Sequence, residues 1–432
     1  MDEPIVIAAI TIVILLVLLA AGIEIAAGLA IAAVLGLYIF KGSGGLARLI
    51  PFAASNSFVL TAIPLFIFMG DILLRCGASE RIYRGTSRIL AWAPGGLLHA
   101  NIGSCALFAS VCGSSPATAS TIGTVAIPEL SKRGYDIKLT LGSLAAGGTL
   151  GILIPPSITM IVYGMLADAS VGSLFAGGVI PGVILAIMFM IYIAIRTARN
   201  PAIAPTEAAF SVKGMLSGFL DLWPVAILMF IVLGGIFGGF FTPTEAAAVG
   251  SISALLMALC MRRYTWQDFR ASLRTAMEIA CMVMFIVVAA SLLSGFLAAT
   301  DVPRSISTYV LSIDLPGAVV LIFIYLLYVV LGCFIDGISA MVLTLPVILP
   351  IVTGLGYDPI WFGVVLVVLC EVGMITPPMG INLFVIQGIS KRDLHEVIAG
   401  SAPFFLIMLI GIALMTIFPS LILWLPSLTR GA

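Results

Sequence analysis

The chain has 432 residues, of which 61% are hydrophobic and 9% are charged, and its formal net charge is zero. A soluble domain typically has about a quarter of its residues charged, so this composition predicts a polytopic membrane protein. The zero net charge argues against nucleic acid as a partner, and no phosphate-binding motif indicates ATP hydrolysis. Seven scattered cysteines and two distant histidines predict neither a structural metal site nor a disulfide framework. We expect neither enzymatic activity nor an organic cofactor.

Two apolar runs, residues 5–21 and 25–40, open the chain and are predicted to cross the membrane. The start of the chain lacks the basic residues of a cleavable signal, so we expect the first run to be retained. A short loop flanked by Lys41 and Arg48 leads to a third span, residues 58–74. Because basic loops face the cytoplasm, we place there the cluster that follows, which consists of Arg75, Arg81, Arg84 and Arg88.

Small and hydroxyl residues at positions 113–120 interrupt the next apolar segment, residues 97–130. Basic residues flank both of its ends, so both ends are predicted on the cytoplasmic side. Each arm has about 14 residues, which is too short to cross a bilayer at 1.5 Å per residue. We therefore predict a re-entrant helical hairpin, whose irregular tip must be buried in protein or line a polar cavity.

The following span, residues 139–166, is interrupted at Pro155 and Pro156, which lack the backbone N–H that continues a helix. A complete span over residues 174–195 precedes the longest polar connection, residues 200–221, which we interpret as a cytoplasmic linker. The predicted organisation has four parts: N-terminal scaffold spans (1–57), a first repeat (58–199), the linker (200–221) and a second repeat (222–432).

The second half repeats the order of the first at a constant offset of 222 positions. A span over residues 277–298 is predicted to cross the membrane ahead of a hairpin over residues 318–352, which is flanked by Asp314 and Asp358. A broken span is predicted over residues 361–389, and a last span covers residues 404–423. The matching pairs include Pro94-Gly95 with Pro316-Gly317, Pro128 with Pro350, Gly151 with Gly373, Pro155-Pro156 with Pro377-Pro378, and Pro181 with Pro403.

This spacing predicts an internal duplication, and the charges predict its orientation. When the spans are connected in this order, 16 of the 20 basic residues lie on the cytoplasmic side. Those on the opposite side are Lys41, Arg48, Arg304 and Arg430. The first hairpin then enters from the cytoplasm and the second from the opposite side, so the repeats are predicted to be inverted. Paired Gly/Pro-interrupted segments in two halves indicate the transport site of a secondary transporter.

Helix ends at the interruptions supply the expected chemistry. Carbonyl groups near Gly151 and Gly373 suit a hard cation such as sodium, whereas amides after Pro156 and Pro378 suit an anion. The predicted membrane core contains no Lys or Arg, so an anionic substrate must be held by amides, hydroxyls and bound cations. Neutral oxygen ligands or donors are expected from Ser114, Ser115, Thr118, Ser339, Thr376 and Asn382.

Three acidic residues near the interruptions admit more than one interpretation. Asp336 lies at the tip of the second hairpin, where an ionisable side chain indicates function unless it caps the second arm. Glu371 lies beside the second break, either as a functional group or as a structural partner of backbone amides. Asp71 is predicted to pair with Arg75, one helical turn on.

Five segments carry a resemblance to a known family: GSSPATASTIGTVAIPEL, GTLGILIPPSITMIVYG, FFTPTEAAAVG, FIDGISAMVLTLPVILPI and GMITPPMGINLFVIQGI. Over nearly the whole chain, the sequence resembles the large membrane subunit of tripartite ATP-independent periplasmic (TRAP) transporters. The resemblance implies an all-α polytopic membrane protein with two inverted repeats and an elevator-type mechanism. It also implies sodium-coupled uptake of an organic acid, such as a C4-dicarboxylate or sialic acid, across a bacterial inner membrane.

The same resemblance implies two partners, a small four-helix membrane subunit and a periplasmic substrate-binding protein. We expect the small subunit to be a separate chain. Two other classes remain open: a sodium/carboxylate symporter that needs no binding protein, and a channel or non-transporting scaffold. The expected sodium ligands are Ser114, Ser115, Gly151, Asp336, Ser339, Gly373 and Thr376, and the expected substrate-binding residues are Ser114, Ser115, Thr118, Pro156, Ser157, Pro378 and Asn382.

Overall fold

The computed structural model describes residues 3–42, 44–205, 211–313 and 315–429, and within these ranges the chain forms 20 α-helices and no strand. Part of the predicted linker (206–210), Asp314 and Arg430 lie outside the described residues. The first half contains α1 (Glu3–Ala20), α2 (Ile25–Lys41), α3 (Gly44–Ser55), α4 (Ala62–Arg75), α5 (Ala78–Leu90), α6 (Leu97–Cys112), α7 (Ser115–Lys132), α8 (Ile137–Leu153), α9 (Ile158–Leu166) and α10 (Val171–Arg199). The second half contains α11 (Val212–Phe237), α12 (Pro243–Cys260), α13 (Trp266–Ala299), α14 (Val302–Ser312), α15 (Gly317–Gly332), α16 (Gly337–Gly354), α17 (Pro359–Met374), α18 (Ile381–Ser390), α19 (Leu394–Ile417) and α20 (Ser420–Thr429).

The helix bounds follow the duplication seen in the sequence. Both ends of α7 and α16 lie 222 residues apart, and so do the first residues of α8 and α17. Each half contains a helical hairpin, α6–α7 or α15–α16, followed by an interrupted helix, α8–α9 or α17–α18. The predicted all-α fold with these two elements in each half is therefore confirmed, whereas the orientation of the halves in the membrane stays a prediction.

The interruptions fall at the double prolines. Residues 154–157 separate α8 from α9, whose axes differ by 41°, because Pro155 and Pro156 cannot donate the backbone hydrogen bonds of a continuous helix. Residues 375–380 separate α17 from α18 around Pro377 and Pro378. In the second break, the N–H of Gly380 donates to the carbonyl of Thr376 (3.1 Å), which satisfies part of the hydrogen-bonding capacity of the backbone there.

Two short helices occupy segments that hydropathy alone does not identify. The predicted loop between Lys41 and the third span contains α3, which is bent by 50° from the helical segment that follows. The basic cluster lies partly on α5, whose Ile82, Tyr83 and Thr86 are buried while Arg84 and Arg88 are exposed. An amphipathic helix of this kind has a low mean hydropathy, so a search for apolar runs misses it.

The predicted linker is shorter than expected because α11 begins at Val212, inside the segment 200–221. The Ser211 hydroxyl caps this helix by accepting a hydrogen bond from the N–H of Gly214 (3.2 Å). At the crossing of α5 and α11, a Cβ on Gly85 would lie 2.8 Å from the Gly218 carbonyl oxygen. Polar residues in this stretch are tolerated because Arg88 pairs with Asp221 (2.8 Å).

Two further elements differ from the predicted spans. Helix α13 begins at Trp266, before the predicted crossing at 277–298, because the Thr265 and Asp268 side chains form a capping box at its start. The predicted last span, 404–423, is divided between α19 and α20, since the chain leaves the helix at Phe418, directly before Pro419.

The two halves pack through exchanged contacts. Helix α18 of the second half packs against hairpin helix α7, and α9 of the first half packs against α16. The Tyr163 hydroxyl donates to the carbonyl of Pro359 (2.6 Å), and Gly142 of α8 crosses directly against the backbone of Gly400 in α19. These contacts bring all four interrupted segments into one region.

Within the described residues, six helices are long and apolar enough to cross a membrane, or up to eight if each bent pair counts as one span. Shorter apolar helices, including α1, α2, α15 and α17, complete the apolar part of the chain. The protein is therefore a multi-pass membrane protein.

Inverted repeats predict that equivalent positions label from opposite sides of the membrane. Ser131 and Thr353 are exposed, lie 222 residues apart and occupy the last turns of α7 and α16. In protein whose seven native cysteines have been replaced, Ser131→Cys should react with an impermeant maleimide from one side of sealed vesicles and Thr353→Cys from the other. A membrane-permeant maleimide, which should label both variants, is the control. Labelling of both from the same side would refute the inversion.

Candidate functional site

A cavity of about 230 Å³ lies where the two hairpin tips, the two helix breaks and helices α4 and α13 meet. Most of its wall is apolar. Polar side chains on the wall come from both halves of the chain: Asp71, Ser114, Thr159, Thr275, Asp336 and Glu371. A concave, largely apolar site with a few polar groups is the usual form of a small-molecule site.

The first hairpin turns at Gly113, whose φ of +63° is the left-handed conformation that glycine adopts without strain. A Cβ here would lie 2.9 Å from the carbonyl oxygen of Pro156, so the tip contacts the helix break directly. The carbonyl of Ser114 accepts from the N–H and the hydroxyl of Thr118 (3.0 and 2.8 Å). Among the described residues, the Ser114 hydroxyl has no hydrogen-bond partner and lines the cavity.

Gly151 fixes the distance between the hairpin tip and α8. A Cβ on this residue would lie 2.8 Å from the carbonyl oxygen of Ser114 and 2.9 Å from the Cα of Ser115. Ser115 is fully buried, and its hydroxyl lies 2.8 Å from the Gly148 carbonyl oxygen. The predicted residues Ser115 and Gly151 thus lie together, in the packing behind the cavity wall.

The second hairpin tip differs at the equivalent positions. One carboxylate oxygen of Asp336 accepts a hydrogen bond from the N–H of Ser339 (3.1 Å), so the side chain caps α16. The cap leaves the other oxygen without a protein partner in the described part of the chain, and Asp336 lines the cavity. Behind it, a Cβ on Gly373 would lie 2.5 Å from the Cα of Gly332. The Thr376 hydroxyl donates to the Val372 carbonyl (2.5 Å).

Glu371 joins the two halves at the cavity. Its side chain is 1% exposed, and its Oε2 forms a short hydrogen bond with the hydroxyl of Ser115, on the first hairpin. Pairing with backbone amides, one of the two interpretations of this residue, is not found within the described ranges. Its Oε1 has no hydrogen-bond partner among the described residues, and neither has the hydroxyl of Thr159, which is also 1% exposed.

Other predicted residues lie near the cavity without lining it. The Ser157 hydroxyl caps α9 by accepting from the N–H of Met160 (3.3 Å), next to Pro156. Asn382 is fully buried and donates to the carbonyl of Ala145 (3.3 Å), while Pro378 is exposed. Of all the predicted site residues, the two that line the cavity are Ser114 and Asp336.

The sequence analysis missed the side of the cavity that α4 and α13 form. Asp71 pairs with Arg75 (2.6 Å) as predicted, but it also lines the cavity, and its side chain is 8% exposed. The guanidinium of Arg75 lies 3.5 Å from the hydroxyl of Thr275, on α13. No sequence pattern links α4 to α13 or to Thr159, since their proximity arises from tertiary packing alone.

The helix ends around the cavity have both polarities. The first residues of α9 and α18, Ile158 and Ile381, line the cavity, and so do Ile152 and Met374 near the ends of α8 and α17. Amides at helix starts stabilise an anion, and carbonyls at helix ends stabilise a cation. The site can therefore hold an anion and a cation close together.

Comparisons with known proteins agree with this fold. Residues 12–421 match the family described as the tripartite ATP-independent periplasmic transporter, DctM component. The chain is 36% identical over 406 residues to the C4-dicarboxylate TRAP transporter large permease protein DctM of Vibrio cholerae, covering 88% of each chain. It is 32% identical over 416 residues to the ectoine TRAP transporter large permease protein TeaC of Halomonas elongata, covering 95% of this chain and 97% of that one. The YdaH transporter of Alcanivorax borkumensis has a similar fold, with a TM-score of 0.63 at 14% identity over 89% of this chain and 88% of that one.

The contact at Gly151 predicts a specific loss of stability. Gly151→Ala should lower the free energy of unfolding by about 1–3 kcal/mol, because the added methyl group would overlap the backbone of the hairpin tip. Gly388→Ala, also inside a helix, is the matched control, since nothing lies within 4 Å of an added Cβ there. Thermal unfolding of the purified variants checks this, and equal unfolding midpoints would contradict it.

Proposed function

Because the chain belongs to the DctM component family of tripartite ATP-independent periplasmic transporters, we propose that it imports a small organic acid together with sodium. In this proposal the protein lies in the bacterial inner membrane as the large membrane subunit. A periplasmic binding protein delivers the acid, and a small four-helix membrane subunit completes the complex. Neither partner is expected to alter the chemistry of the cavity.

The observation that carries the proposal is the position of the cavity. It lies between four interrupted helical segments on one side and helices α4 and α13 on the other. Irregular backbone at membrane depth is tolerated where it is buried or lines a cavity, and transporters use such breaks to hold substrate and ion. A boundary of this kind also suits an elevator mechanism, in which the hairpins and broken helices move together past α4 and α13.

Sodium binding is supported by unpartnered oxygens at both hairpin tips. Hard cations prefer oxygen ligands, which the Ser114 hydroxyl and the second carboxylate oxygen of Asp336 can supply. We propose one site around Ser114, Ser115 and Gly151. The second site is proposed around Asp336, Ser339, Gly373 and Thr376.

The cavity favours a small substrate. Its volume of about 230 Å³ is below the roughly 300 Å³ at which pockets for drug-sized ligands begin, so a short organic acid fits better than a bulky sugar acid. The carboxylate is proposed to face the amides after Pro156 and Pro378, at the starts of α9 and α18. Ser157 and Asn382 then act by holding these helix ends in place, since neither lines the cavity.

The proposed partners predict that the isolated chain is inactive. The purified chain in liposomes with an inward sodium gradient should not accumulate a free organic acid. Addition of the small subunit and the loaded binding protein should start uptake, measured with radiolabelled acid. Sodium-driven uptake by the chain alone would instead identify a symporter that needs no binding protein.

Substitution of Asp336 distinguishes a role of this side chain as a cation ligand from a role as a helix cap only. Asn and Asp cap helices about equally well, so Asp336→Asn should keep the bond to the Ser339 amide while removing the charge. We expect the sodium concentration that gives half-maximal uptake to rise about tenfold, because ligand charge tunes cation affinity over several orders of magnitude.

The matched control is Asp358→Asn. Asp358 caps α17 by accepting from the amides of Ile360 and Trp361 (2.7 and 3.2 Å), and it does not line the cavity. Its substitution should leave the sodium dependence unchanged. An unchanged sodium curve for Asp336→Asn as well would leave that residue as a helix cap.

A further inference from the structure

Two buried oxygen atoms at the cavity have no partner in the described part of the chain: Oε1 of Glu371 and the hydroxyl oxygen of Thr159. Buried polar atoms are nearly always hydrogen-bonded, and leaving one unsatisfied costs about as much as the bond it lacks. The two residues come from different halves of the chain, on α17 and α9. Two unpartnered atoms on the wall of one small cavity indicate a ligand.

The structural role of Glu371 does not account for its free oxygen. The contact with Ser115 uses Oε2, and a single acceptor at that position would be enough to make it. The other oxygen is equally buried and lies among mostly apolar residues of the cavity wall. The carboxyl group therefore uses one oxygen in the fold and leaves the other unpartnered, on a residue that lines the cavity.

The chemistry of these atoms defines what they bind. With Oε2 engaged by Ser115, Oε1 is left as an acceptor, which pairs with a donor group of the ligand and not with the oxygens of a substrate carboxylate. Thr159 lies in the first turn of α9, whose amides suit that carboxylate. In a cavity of about 230 Å³, a group that reaches Glu371 is close to a carboxylate bound at α9.

We propose that Glu371 and Thr159 form a donor-recognition subsite, which selects organic acids that carry a hydroxyl or ammonium group close to a carboxylate. This inference rests on the proposed function, because it assumes that the cavity takes an organic acid. It adds that unsubstituted acids lack the donor that Glu371 Oε1 requires, whereas the Thr159 hydroxyl can accept from that donor or donate to the ligand. Glu371 thus determines specificity at the substrate, in addition to linking the two halves.

Two matched series of acids test the subsite. Succinate, malate and aspartate differ by one substituent, as do propionate, lactate and alanine. Each is titrated into the purified chain at saturating sodium, and binding is measured by the shift of the thermal unfolding midpoint. A hydroxyl or ammonium member should bind about tenfold more tightly than its unsubstituted parent, since one buried hydrogen bond to a charged group is at stake. The comparison within each series identifies the donor.

Two variants localise the effect. Thr159→Val keeps the shape of the side chain and removes its oxygen, whereas Glu371→Gln turns an amide N–H₂ towards the ligand while its oxygen pairs with Ser115. In both, the preference for the substituted acid should fall to less than about threefold. Ile279→Val, on the α13 side of the cavity, should retain the preference.

The outcomes separate this inference from the function on which it rests. Equal binding of parent and substituted acids, or no stabilisation by any of the six, overturns the donor subsite. A midpoint that responds to sodium, together with uptake of succinate by the complete complex, would leave the proposed function standing in that case. Loss of the sodium response in both variants, with the acid preference intact, would assign the two oxygens to a cation and also overturn the subsite.

Discussion

Close approach of two backbones, made possible by glycine, is the contact on which the rest of the structure depends. Gly151 meets the backbone of Ser114 and Ser115, and Gly373 meets that of Gly332, so each helix break is covered by the hairpin of its own half. Lipid offers no hydrogen bonds to interrupted backbone, and such breaks persist at membrane depth only where protein or a polar cavity surrounds them. A side chain at either glycine would push the hairpin away from the helix break.

The two covered breaks are equivalent in backbone and different in chemistry. In the first half the Ser115 hydroxyl lies 2.8 Å from the carbonyl oxygen of Gly148, and at the matching positions of the second half the Cys370 thiol donates to the carbonyl of Gly337. The tips differ in charge as well, because Ser114 of the first tip occupies the position equivalent to Asp336 of the second. Duplication thus preserved the packing of the helices, while the side chains that face the cavity diverged. The proposed binding of an organic acid together with a coupling ion fits this kind of divergence.

The fold could be predicted from the sequence more completely than the site. Gly and Pro spacing located both hairpins and both breaks within a few residues, because these residue types directly determine where a helix can continue. The amphipathic helix α5 and the start of α11 were missed, since their polar residues are compensated by packing against each other and not by local sequence. At the cavity, Ser114 and Asp336 were identified from their place in a tip. Thr159, Thr275 and the cavity-facing position of Asp71 depend on contacts between distant helices, which no local pattern contains.

The exchanged packing of the halves constrains how the chain is made. Ser115 and Glu371, which meet at the centre of the site, are 256 residues apart, and α9 and α7 each pack against helices of the later half. Domains synthesised first usually fold first, but here α7 and α9 of the earlier half lack the helices against which they pack until the later half is inserted. Assembly of the site is therefore completed only after most of the chain has entered the membrane. A chain truncated between the halves would leave α7 and α9 without these packing partners, and it would become a substrate for membrane quality control.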